Sequence, residues 1–401
     1  MVDSTIVAVR TIRSAWRANY LWLEIETADG AVGLGETNSS AAAMDAHVHD
    51  LIAPYLLGRD AADVERHWWA IYGNFPFPGI GVETRVLSAV DIALWDLAGK
   101  RLGVPLHVLL GGTVRDDIEV YNTCSGPDYY RDAEVAGVSR YGDQRPDRPY
   151  EDHWAFHNAP VELARDLLAM GVGGMKIWPF DLLADETGGI TIDRRQLERG
   201  LEPIRKVRDV LGGDIRILLE MHGRWQASAA MKIAEATAPY DLFWLEDPVA
   251  FDDFAGLGAF ARSTSTPTAA GENLATFYTY RDLVAQPLAV VISEPMCVGG
   301  ITAMRRVIDL SQVEKRGFAA HDCGGPVNLA VDANLAVSAQ NAVIQETTRS
   351  NYLTWYAELA EGYPLIEGGR IRPTTRAGHG VTLSGAFRDR PDVTIREARL
   401  P

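Results

Sequence analysis

Leu218-Leu219-Glu220, Trp244-Leu245-Glu246 and Ala270-Gly271-Glu272 end three consecutive short apolar runs, and 26 residues separate each closing glutamate from the next. Short apolar runs that alternate with longer amphipathic segments are the pattern of repeated strand–helix units around a buried parallel sheet. Followed outward in both directions, the pattern begins near Ile118 and gives eight runs: Glu119 to Asn122, Gly174 to Trp178, Ile215 to Met221, Leu242 to Glu246, Pro267 to Glu272, Ala289 to Glu294, Gly317 to His321 and Ala342 to Thr347. Eight parallel strands with intervening helices, over roughly 230 residues, predict an α/β fold of the (β/α)8 TIM-barrel type.

The chain has 401 residues, more than such a barrel needs. Before it, Thr5 to Arg10 and Tyr20 to Thr27 alternate at period two, and Ala28-Asp29-Gly30 reads as a hairpin turn into Ala31-Val32-Gly33. Helical spacing follows over Ser40 to Leu57, Asp60 to Tyr72 and Thr84 to Leu102. The expected division is an N-terminal α+β capping domain over residues 1–115 and a barrel over 116–348. A C-terminal segment, 349–401, returns to complete the cap. The polar stretch from Pro127 to Asn158 reads as an insertion after the first strand, and loops in that position sit on the catalytic face. Gly33-Leu34-Gly35-Glu36 lacks the third glycine of a phosphate-binding loop and is read as turn geometry. The aromatics Trp68, Trp69, Tyr72, Phe75 and Phe77 are read as core or subunit contact.

Composition narrows the function classes. The chain carries 38 Lys and Arg against 54 Asp and Glu, and a net charge of −16 repels a phosphate backbone, so nucleic acid is not an expected partner. Cys124, Cys297 and Cys323 are too few and too scattered for a disulfide framework or a thiolate zinc site, which points to a reducing, cytoplasmic setting. No run approaches the length of a membrane span, so no membrane partner is expected.

In a barrel the C-terminal strand ends face the active site, so Glu220, Glu246 and Glu272 are predicted to meet on one rim of the mouth. Three unpaired carboxylates repel one another and call for a divalent cation; oxygen-only donors favour Mg²⁺ over zinc. His222, two residues beyond Glu220, is expected on the same face of an extended strand end. Lys176 lies in the second run, Glu294 ends the sixth, His321 ends the seventh and Glu346 lies near the end of the eighth. Glu294 and His321 have the makings of a dyad in which a carboxylate orients an imidazole and raises its basicity.

These residues resemble the enolase superfamily, in its mandelate racemase branch, over nearly the whole chain. LLEMHGRW, FWLEDP and AAGENL correspond to the segments ending the third, fourth and fifth strands, and the resemblance makes Glu220, Glu246 and Glu272 the ligands of one Mg²⁺ per subunit. ISEPMCVGGIT matches the sixth-strand segment, with Glu294 where the family usually has Asp. AAHDCGGP supplies His321 as the seventh-strand base, and IQET supplies Glu346 as the acid that hydrogen-bonds a substrate carboxylate. The racemase Lys-x-Lys pattern is broken at Lys176-Ile177-Trp178, so Trp178 lines the pocket where a second base would stand. His222 replaces a common Asn, a change that resembles the sugar-acid dehydratases acting on galactonate or mannonate. Trp16-Arg17 and Tyr72 to Gly79 resemble the two cap loops that close over substrate.

The resemblance implies a lyase that removes the proton alpha to a sugar-acid carboxylate, holds the enediolate with Mg²⁺, Glu346 and Lys176, and expels the β-hydroxyl to give a 2-keto-3-deoxy acid. Either histidine could be the base, with His321 favoured by Glu294. An epimerase, racemase or cycloisomerase would use the same residues, and a barrel that binds metal and sugar acid without turnover is a non-catalytic alternative. The expected partner is a small-molecule sugar acid, and the expected assembly a homo-oligomer, dimer or octamer.

Overall fold

The computed structural model describes residues 3–73, 81–129 and 147–401; Phe75, Phe77 and most of the expected cap loop Tyr72 to Gly79 lie outside these, as does the centre of the Pro127 to Asn158 insertion. The N-terminal strands β1 (Ile6–Ser14), β2 (Tyr20–Thr27) and β3 (Val32–Asn38) form an antiparallel meander. One face of it is covered by α3 (Val82–Leu102), which follows α1 (Ala41–His47) and α2 (Val64–Gly73). Gly33-Leu34-Gly35 is therefore strand rather than turn. A Cβ on Gly33 or Gly35 would lie 2.1 Å from the carbonyl of Ala93 or 1.9 Å from that of Ala89, so the glycines let α3 settle directly on the sheet. Gly103 ends α3 in the left-handed conformation, its amide satisfying the last carbonyls of the helix.

The eight expected strands all form. They are β4 (Ile118–Thr123), β5 (Gly174–Ile177), β6 (Arg216–Glu220), β7 (Trp244–Glu246), β8 (Thr268–Ala270), β9 (Val290–Ser293), β10 (Gly317–Ala320) and β11 (Gln345–Thr347), parallel neighbours in that order from β4 to β10. The ring closes where β11 pairs with β4 and where Phe318 exchanges backbone hydrogen bonds with Asn341 and Val343. A hairpin, Ile366–Glu367 and Arg370–Ile371, adds antiparallel to the start of β4. The last strand, β12 (Val393–Arg399), runs antiparallel to β1 and makes the meander four-stranded. Among the described residues no helix is long and apolar enough to cross a membrane.

Alternation along each barrel strand sorts side chains between two cores. Ile217, Leu219, Leu245 and Phe318 point outward beneath the helices, whereas Tyr121, Leu218, Trp244, Ala269, Ile292, Ala319 and Ile344 fill the barrel interior. Trp244 is fully buried there, its ring edge-on to Tyr121. Truncating such a side chain to Ala typically costs about 3–5 kcal/mol. This apolar plug is the floor on which the polar residues of the mouth stand.

Candidate active site

The alternation that places Leu218 and Trp244 in the floor places Glu220 and Glu246, two residues further on, directly above it and opposite each other in register. Glu272 joins them after Gly271 turns the chain; a Cβ there would lie 2.5 Å from the carbonyl of Ile292. The three carboxylates each bring an oxygen within 4.8 Å of the others. Met221 and His222 amides both donate to Glu220 Oε1, at 3.0 and 2.7 Å, so Glu220 Oε2 is turned into the mouth, buried and without a hydrogen bond, with Lys176 Nζ at 3.6 Å. Trp244 Nε1 donates to Glu246 Oε2 at 2.7 Å. Burial, and then Glu220 alongside, push the Glu246 carboxyl up to about 8, an effect that Lys176 only partly offsets. A buried, unsatisfied oxygen in a cluster of hard anionic donors fits a divalent cation of the magnesium type.

Lys176 Nζ, inward-facing on β5, lies 2.8 Å from Glu246 Oε1 and 2.9 Å from Glu346 Oε1. Burial works against its charge, but Glu246 and Glu346 outweigh that and hold the ammonium well above its ordinary range. Thr123 Oγ1 donates to Glu346, and the Asp322 amide does so at 3.3 Å. Burial would raise Glu346, but Lys176 and His321 prevail and hold it down at about 2, so it stays ionised.

Two imidazoles flank this cluster. His321 Nδ1 is 3.4 Å from Glu294 Oε1, while Nε2 faces Glu272 Oε2 at 3.1 Å and Glu346 Oε2 at 3.9 Å. His222 Nδ1 is 2.6 Å from Asp181 Oδ2. Burial disfavours both imidazolium ions; Glu272 and Glu346 lift His321 well above its usual range, and Asp181 followed by Glu220 lifts His222 to about 10. The expected reason for His222's position fails, because the strand stops at Glu220 and His222 occupies a tight turn at φ 47° rather than an extended end.

Three residues that sequence reading passed over support these groups. Asp181 opens the helix Asp181–Thr187 after β5, and no spacing rule tied it to His222. Asp247 follows Glu246, accepts from the Gly271 amide at 3.1 Å and so steadies the turn that carries Glu272; its place in the WLEDP run was the available signal. Arg85, on α3, reaches Cys297 and Glu294 behind His321, and Cys297 Sγ donates to Glu294 Oε2 at 2.8 Å. Trp178 packs edge-on to His222 and belongs to an aromatic wall with Tyr129, His153 and Phe156. Arg17 lies over Trp16 and Trp355 and donates to the Pro127 carbonyl at 3.0 Å, where the insertion begins. Tyr72 stacks on Trp68 and Tyr278.

Residues 3–111 match the mandelate racemase/muconate lactonizing enzyme N-terminal domain, and residues 159–387 match the enolase C-terminal domain-like family. The chain belongs to the mandelate racemase/muconate lactonizing enzyme family of the enolase superfamily. Solved members of this superfamily with similar folds include an enolase of the mandelate racemase subgroup from Agrobacterium tumefaciens, 33% identical with a TM-score of 0.86 over 98% of this chain and 99% of that one. An enolase protein from Sargasso Sea environmental sequencing is 35% identical, with a TM-score of 0.87 over 99% of both chains. Curated relatives include a D-galactonate dehydratase from Ralstonia nicotianae, 28% identical over 92% of this chain and 90% of its own length. A D-mannonate dehydratase from Novosphingobium aromaticivorans is 29% identical, over 94% and 92% respectively. Superfamily members bind a divalent metal, which agrees with the acidic cluster here.

Proposed function

We propose that this enzyme is a magnesium-dependent dehydratase of an acid sugar, converting an aldonate-type substrate to a 2-keto-3-deoxy acid. One observation carries the reading: His321 and His222, each backed by its own carboxylate, follow the seventh and third strands of an eight-strand ring and so stand on opposite sides of the carboxylate cluster. An elimination needs a base at the alpha carbon and an acid at the β-hydroxyl, and two opposed imidazoles supply both. The names of the galactonate and mannonate dehydratase relatives point to the same substrate class.

Glu220, Glu246 and Glu272 would hold the cation, which supplies positive charge for the substrate carboxylate when bound. Glu272 does most to hold the His321 proton; with that carboxylate given over to a ligand role, Nε2, aimed at the cluster while Glu294 stands 3.4 Å from Nδ1, would carry the lone pair that takes the alpha proton. Lys176 Nζ offers N–H donors to the oxygen where charge develops. Glu346, 2.9 Å from Lys176 Nζ, orients that ammonium and is the acid that meets the substrate carboxylate. His222 keeps Asp181 as partner whatever the cluster binds, and it delivers the proton with which the β-hydroxyl leaves as water. Trp178 and its aromatic neighbours wall off solvent on that side.

Incubating the enzyme with a panel of acid sugars, with and without EDTA, and assaying for 2-keto-3-deoxy acid tests the reading. The expected result is product from at least one aldonate that disappears with chelator. The same opposed histidines also suit epimerisation at C2; exchange of the alpha proton with D₂O, inversion and no keto acid across the panel would select that reaction instead.

A further inference from the structure

The proposed reaction makes no use of Cys323. Its buried thiol lies two residues past His321, with Sγ 3.8 Å from Glu346 Oε1, while His321 Nε2 is 3.9 Å from Glu346 Oε2 on the same carboxylate. One nitrogen, one sulfur and one carboxylate oxygen of these residues all lie within 4.8 Å of one another. We propose that His321, Cys323 and Glu346 form a second cation site, selective for thiophilic divalent ions of the zinc class, whose occupation switches the enzyme off.

Tetrahedral zinc holds N and O at about 2.0–2.1 Å and S at about 2.3 Å, which spaces the donors roughly 3.3–3.6 Å apart. The donors here lie within 4.8 Å of one another, so they must draw in by up to about 1.5 Å, and Glu346 must give up part of its hold on Lys176 Nζ, 2.9 Å away. The supports of a metal site are also in place: Glu294 stands at His321 Nδ1, the carboxylate-behind-imidazole arrangement that leaves Nε2 to ligate, and Thr123 donates to Glu346. Glu220, Glu246 and Glu272 offer hard oxygens alone, which suit magnesium, whereas the mixed N, S and O set suits zinc. On coordination the sulfur–metal and nitrogen–metal bonds form, and the thiol proton and the imidazolium proton on His321 Nε2 pass to solvent. The cation then occupies the Nε2 lone pair, so His321 can no longer accept a proton. This last consequence rests on the proposed reaction; the site itself does not.

Cobalt(II) added to the enzyme in excess magnesium tests the site directly. The expected result is a sulfur-to-cobalt charge-transfer band in the near ultraviolet that survives C124S and C297S and vanishes in C323S. Losing a ligand should cost at least as much as losing an outer-shell partner, so C323S should bind zinc about tenfold or more weakly. In the activity arm, zinc should stop acid-sugar turnover by the parent enzyme and spare C323S. Bound cobalt without a charge-transfer band, or a band that persists in C323S, overturns the proposal. If C323S does not fold, loss of the band in C124S or C297S does so instead. If no acid sugar is turned over, the reaction reading fails alone and the cobalt spectrum still decides the site.

Discussion

The two sides of the barrel mouth are built from different parts of the chain. On the His321 side the supports come from the N-terminal elements: Arg85 of α3 stands behind Glu294, and Glu36 of β3 accepts from the Gly325 and Asn328 amides, at 2.9 and 3.2 Å, just beyond the His321 loop. On the His222 side they come from the barrel's own loops, Asp181 and Trp178 after β5, together with the aromatics Tyr129 and His153 of the insertion. Both imidazoles feel the carboxylates of the site, but one is backed by a glutamate that the cap reaches, whereas the other is paired with an aspartate of the barrel's own loop, which Arg224 also approaches at 3.8 Å. The proposed division between base and acid rests on that difference.

Removing what the two sides share gives the largest effect. Chelation should abolish turnover and lower the melting temperature, and magnesium should restore both; at a hundredfold excess over Kd, binding is worth about 2.7 kcal/mol. The histidines should then separate. H321N should lose dehydration and alpha-proton exchange together, each by about 10²–10⁴-fold, the usual worth of a general base. H222N should lose dehydration to a similar degree yet keep exchange of the alpha proton with D₂O, followed by NMR; equal loss of exchange would erase the proposed division.

A smaller effect tests the cap's hold on His321. R85M removes a charge behind Glu294. A shift of about one pKa unit in the Glu294–His321 pair would amount to roughly 1.4 kcal/mol, a tenfold fall in kcat, with KM unchanged. The same factor is expected for alpha-proton exchange in the H222N background, because exchange there still depends on His321. The smallest effect is on stability. Burial pushes Glu36 from 4.5 up to about 7, so the folded protein holds this proton more tightly than the unfolded chain. Its contribution is complete below 4.5 and fades as pH rises through 7, and E36Q should flatten the fall in melting temperature across that window.

The fold was largely legible because a parallel strand buried on both faces must be an apolar run, and each of the eight runs overlaps an observed strand. The meeting of Glu220, Glu246 and Glu272 was legible for the same reason, since strand ends of successive units share one rim. Gly33 and Gly35 were misread because a glycine required by close helix packing and a glycine required by a turn look alike in sequence. His222 was picked out by its position, yet through an alternation argument that its left-handed backbone does not obey.

By itself the sequence determined the order of strands, the identity of the acidic and imidazole groups at their ends, and the oxygen-only character of the first cluster. Only the tertiary structure decided that Asp181 serves His222, that Arg85 and Glu36 reach across from the cap, and that Cys323 comes within reach of His321 and Glu346. The physical reason is separation along the chain. Periodicity reports which face a residue takes within its own element, whereas these partners lie on different elements and meet only when the ring closes and the cap settles on it.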